Sequence, residues 1–161
     1  MPMNNVSTIL WRERQLLELL LFKLEEEQLL LAAGRVRWLA KAAHEVETVL
    51  GEIKAAELAR SMEVDAAARE LGLGPNPSLG ELIDIAPEPW RGILADHRDA
   101  FLTMTQEILS VAGSNRELLA RGQRAVQDAL VFVNGVDADT YTPGGNRSDR
   151  SSSPVLVNEV L

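Results

Sequence analysis

Leucines recur at sevens from the first apolar position onward: Leu10, Leu17, Leu24 and Leu31, with Leu20 and Leu21 filling the seam between them. That spacing predicts an amphipathic helix over about 7–33. Leu16, Leu30 and Ala33 widen the stripe, as a helix inside a bundle requires. Glu25-Glu26-Glu27 falls opposite and reads as a solvated face, with Lys23 expected to pair with Glu27 at i,i+4. One helix from Thr8 to Leu71 would find no partner of matching length in so short a chain. Glycine after an apolar turn accepts the left-handed conformation that ends helices, so a tight antiparallel turn is expected at Ala33-Gly34-Arg35.

A second helix over 36–71 carries Leu39, Ala42, Val46, Val49, Ile53 and Ala56 at three-four spacing. Gly51 weakens it by about 1 kcal/mol relative to alanine. It is either a tolerated interior glycine or a break. Leu71-Gly72-Leu73-Gly74-Pro75 ends the helix. A linker over 74–87 follows, with a capping box at Ser78 and Glu81 that predicts a short helical turn from Leu79 to Ile85. The third helix, 88–112, has the cleanest seam: Trp90, Leu94, His97, Phe101, Met104, Ile108, Val111. Gly113 is expected to stop it. Ser114-Asn115-Arg116-Glu117 has the form of a second capping box opening a last helix over 115–134.

That last helix has two apolar stripes. One is Leu118, Gly122, Ala125, Ala129 and Phe132; the other is Leu119, Val126, Leu130 and Val133. Either the helix is central and buried all round, or one stripe stays open as a groove for an amphipathic partner helix. Gly122, Ala125 and Ala129 would let such a partner approach closely. From residue 140 to 161 the composition turns to Gly, Ser and Pro, then closes on the aliphatic Val155-Leu156-Val157 and Val160-Leu161. This segment reads as a flexible tail, either a tether or an ordinary terminus. The expected architecture is therefore all-α: an antiparallel bundle of about four long helices over 1–139 and a disordered tail over 140–161.

Composition narrows the chemistry. Aliphatics carry the core, since hydrophobic residues make up 46% of the 161 and aromatics only 4%. A net charge of −8 argues against nucleic acid or an anionic membrane surface as partner. Absence of cysteine removes disulfides, zinc-thiolate sites and thiol catalysis, and suits the cytosol. The polar start Met1-Pro2-Met3-Asn4-Asn5 is not the pattern expected of a signal peptide. The apolar run Leu16–Leu24 is interrupted by Glu18 and Lys23 and is far too short to insert in a bilayer.

No catalytic, cofactor-binding or metal site is expected. Dinuclear bundles need Glu-x-x-His, but Lys41 and Leu94 stand three residues before His44 and His97. His44-Glu45-Val46-Glu47-Thr48 lacks the second histidine of a zinc-protease helix. Gly72-Leu73-Gly74 ends a helix, the wrong end for a phosphate. His97 lies in a seam and is expected to be a hydrogen-bonded bundle histidine. Trp11 and Trp38 are each candidates for partial exposure.

The order of features resembles the FlgN-type flagellar export chaperones. The resemblance is carried by Leu24-Glu25-Glu26-Glu27-Gln28-Leu29, the Ala33-Gly34 turn and Ala59-Arg60. It continues through Asn115-Arg116-Glu117-Leu118-Leu119 to Tyr141-Thr142-Pro143-Gly144-Gly145. It implies a cytoplasmic, non-catalytic chaperone that binds hook–filament junction (hook-associated) proteins, prevents their early assembly and delivers them to the type III export gate. By position it implies a client face formed by Leu118, Leu119, Gly122, Ala125, Val126, Ala129, Phe132 and Val133, with Tyr141 as the export-gate contact. The proline-rich linker departs from the family pattern, and Val155–Leu161 has no role to carry over. The competing expectations are a self-associating structural bundle, including a homodimer, and a metal-binding or enzymatic bundle.

Overall fold

The computed structural model describes residues 2–140, and side-chain surroundings for residues 2–135. Helix α1 spans Pro2–Ala32, a 3₁₀ turn Val36–Trp38, α2 Leu39–Glu70, α3 Leu79–Ile85 and α4 Trp90–Thr140. There is no strand among the described residues, so the all-α expectation holds. The chain divides into two compact units, Met1–Gly122 and Gln123–Leu161, with the boundary falling inside α4.

In the first unit, α1 and α2 form an antiparallel hairpin. Gly34 turns the chain at φ 66°, the left-handed conformation expected of it, and its N–H donates to the Leu31 carbonyl. Two ion pairs fix the direction: Lys23 Nζ lies 2.9 Å from Glu45, and Arg60 Nη1 lies 2.9 Å from Glu13. Lys23 thus reaches across to α2 instead of pairing with Glu27 on its own helix. The cross-helix carboxylate is half-buried, where water screens the attraction less than on an open helix face. Gly51 sits inside an unbroken α2. A single interior glycine costs less than the packing of Val49 and Ile53 on either side returns.

The capping box forms as the sequence predicts. Ser78 Oγ accepts from the Glu81 N–H at 3.2 Å, and Glu81 Oε2 accepts from the Ser78 N–H at 2.7 Å. The resulting helix α3 inserts Leu82 and Ile83 into a core cluster with Met3, Val6, Leu10, Val64, Ala67, Ala86 and Leu94. A second cluster joins Leu20, Leu24 and Val49, with Ile108, Val111 and Ala112 packed against it. Helix α1 begins at Pro2, five residues ahead of the expected start at 7, because Met3 and Val6 extend its buried stripe.

Expectation and structure part at Gly113. The two helices expected over 88–112 and 115–134 are one, Trp90–Thr140. Within the first unit, α4 runs alongside α1 in the same direction: His97 meets Trp11 and Asn115 meets Leu24. No helix begins at the expected Ser114–Glu117 box, and Asn115 bonds to α1 instead. Its Nδ2 donates to the Leu24 carbonyl at 2.9 Å and to Glu27 Oε1 at 3.1 Å. With Val111 and Ala112 packed before it and Asn115 bonded after it, the helical conformation at Gly113 is held from both sides. A penalty of about 1 kcal/mol for an interior glycine is then outweighed.

Two polar side chains are buried in the first unit. Glu13 Oε1 has no hydrogen-bond partner among the described residues, although Oε2 is bonded to Arg60. His97 is buried with its ring edge-on to Trp11, centroids 5.0 Å apart, and stacked on Phe101 at 6.3 Å. Its Nδ1 has no partner among the described residues, contrary to the expected hydrogen-bonded histidine, and the rings of Trp11 and Phe101 lie against it.

These groups give opposite pH slopes. Burial raises the Glu13 pKa above the ordinary glutamate value, assisted by Glu57 and opposed by Arg60. The folded state then holds that proton more tightly than the unfolded chain. Its contribution to stability falls as pH rises through the window just above the ordinary value. Burial lowers the His97 pKa, with Arg14 acting the same way and Asp96 opposing. The unfolded chain holds that proton more tightly, so stability falls as pH drops through the window below the ordinary imidazole value. Urea unfolding across mildly acidic pH should show Glu13→Gln losing the first slope and His97→Gln losing the second. Unchanged slopes in both variants would contradict this assignment.

Candidate functional site

Among the described residues no group of His, Asp and Glu is placed to hold a metal ion. Among the described residues no helix is long and apolar enough to cross a membrane. A cleft beside α2, lined by Glu57, Arg60, Ser61 and Asn76, has its one cation already bonded to Glu13.

The second unit presents an apolar helix surface without cover. In the second unit every residue from Gln123 to Gly135 is exposed. Phe132 is 72% exposed, Val126 59% and Val133 53%. At 100° per residue, Ala125, Val126, Ala129, Leu130, Phe132 and Val133 fall within an arc of about 160°. Gln123, Arg124, Gln127, Asp128 and Asn134 occupy the opposite side, with Val131 the one apolar intruder. Within the second unit the two stripes read from the sequence are therefore adjacent parts of one surface. Its floor is shallow where Ala125 and Ala129 stand and rises at Val126, Leu130 and Phe132.

Three further predicted residues lie in the first unit. Leu119 and Gly122 are exposed, and Leu118 is half-buried. No atom lies within 4 Å of where a Cβ on Gly122 would sit, so the space beside it is open. Tyr141 and the aliphatic stretch Val155–Leu161 lie outside the described residues.

The sequence places Asn115 at the start of a helix, inside a capping box; its actual position matters more. It is buried at the end of the packed stretch of α4, and its Oδ1 has no partner among the described residues. A lone polar residue in an apolar seam fixes register at some cost in stability. Its amide, bonded to a backbone carbonyl and a carboxylate on α1, sets which residue of α4 is the last to be covered. The signal was available: Asn115 continues the seam one four-residue step beyond Val111.

A model of one protein family, described as FlgN protein, matches residues 1–149. No curated protein matches the chain, and neither does any solved structure.

Proposed function

The chain belongs to the FlgN family of flagellar export chaperones, and on that premise we propose that the exposed apolar arc of α4 is its client-binding face. The client is a hook–filament junction protein, held by a terminal segment that is apolar on one face. Leu118, Leu119, Gly122, Ala125, Val126, Ala129, Phe132 and Val133 form the contact. The observation that carries this reading is a helix surface of valine, leucine, phenylalanine and alanine left exposed along the second unit. Large side chains on such a face lose hydration when a partner helix covers them, and each contributes about 1.5–3 kcal/mol when fully buried. Ordering a flexible client segment consumes several kcal/mol of that gain, which keeps the complex releasable.

Covering the client's apolar face removes the surface through which it would self-assemble. The protein works in the cytoplasm, and release at the export gate requires no hydrolysis by the chaperone itself. Tyr141 makes the gate contact, with the Gly/Ser/Pro stretch after it acting as a spacer in sequence. Deleting Tyr141–Leu161 should leave client binding undiminished and abolish export. Pull-down of junction proteins, together with their assay in the culture medium, checks both halves. Loss of client capture on truncation would overturn the separation of roles.

A further inference from the structure

We propose that the aliphatic stretch Val155–Leu161 folds back onto the apolar arc of α4 and covers it until a client arrives. This rests on the reading of that arc as a docking face, and it names the face's resident occupant. An arc holding Phe132 at 72% exposure and Val126 at 59% is costly to leave in water. The chain itself carries a matching segment. Leu156, Val157, Val160 and Leu161 recur at i, i+1, i+4 and i+5, which is one face of a helix.

The connection has the right length. From Thr140 back to Val126 is fourteen residues of helix, a rise of about 21 Å. The fourteen residues from Tyr141 to Pro154 include Pro143-Gly144-Gly145 and Ser151-Ser152-Ser153. A Gly/Ser-rich coil of that length has a root-mean-square span of about 20 Å. Effective concentration is highest when span and distance agree, so a weak contact suffices to keep the arc covered. A client then displaces the segment, and its apparent affinity is reduced by the fraction of molecules that are covered.

The chain has no cysteine, so Asn158→Cys gives a single attachment point for a nitroxide on the full chain. In isotope-labelled protein carrying that nitroxide, the amide signals of residues 125–133 should lose intensity, equally at all dilutions. Adding Leu156→Asp and Val160→Asp should restore them. A mixture of nitroxide-bearing unlabelled protein with isotope-labelled protein lacking nitroxide should show no loss. Unaffected amides in the singly labelled sample would overturn the proposal. Loss that appears in the mixture would also overturn it, by assigning the arc to a second copy. The docking reading is tested separately by client capture. If Phe132→Asp abolishes capture while the nitroxide leaves the amides untouched, that reading stands and the tail's role falls.

Discussion

Replacing Phe132 with aspartate is expected to weaken client capture by about thirtyfold or more, equivalent to ~2 kcal/mol for an aromatic anchor in a buried contact. Ala125→Asp should act in the same direction, because a charge at the shallow floor of the arc would have to be desolvated by any helix lying over it. Neither change should unfold the protein. Both positions are exposed, and surface substitutions away from caps and networks stay within about 0.5 kcal/mol. The decisive control is Val131→Asp. Val131 is 73% exposed, as open as Phe132, but lies on the polar side of the same helix. Hydrophobicity alone would make the two substitutions equivalent, whereas a directional face makes only Phe132→Asp damaging. Pull-down or calorimetric titration of a junction-protein segment, with helicity checked by circular dichroism, reads the difference. Equal losses from both variants would remove the directional argument.

Leu94→Ala is expected to destabilise folding by about 2–5 kcal/mol. Leu94 is fully buried in the cluster where α1, α2, α3 and α4 meet. Alanine is the better helix former, so propensity works slightly in the variant's favour and the loss isolates packing. The cavity would open against Leu10 and Leu82, both fully buried, and neither the loop before α3 nor the long helices can collapse into it without disturbing the other contacts. Leu109→Ala on the same helix is the comparison: Leu109 is 62% exposed, and its truncation should change stability by no more than about 0.5 kcal/mol. Chemical denaturation gives both values. A small effect at Leu94 would mean that the short helix α3 does not close this end of the bundle.

The hairpin was legible because its signals are local. A seven-residue leucine repeat, a glycine at the turn and a Ser-x-x-Glu box each act within a few residues, and α1, the Gly34 turn and α3 follow them. Helix α4 was misread because Gly113 and Ser114-Asn115-Arg116-Glu117 carry a local stop-and-start signal that tertiary contact overrides. Local pattern cannot report that Asn115 finds the Leu24 carbonyl 91 positions away in the chain. The same limit applied to Lys23, whose partner is on the facing helix, and to His97, whose seam position was evident but whose lack of a hydrogen bond was not. For the candidate face, the residues were legible and their exposure was not. Two apolar stripes on a helix are compatible with burial from both sides or with an open surface, and only the packing of the remaining helices decides between them.

The account is tested most directly by placing a photoreactive amino acid at Val126 in cells assembling flagella, with Leu58 on α2, 68% exposed, as the matched control. The adducts are then identified by mass spectrometry. Adducts are expected between position 126 and a hook–filament junction protein, and none from position 58. Adducts at position 126 formed only with further copies of the chaperone, or the same junction-protein adducts from position 58, would contradict it.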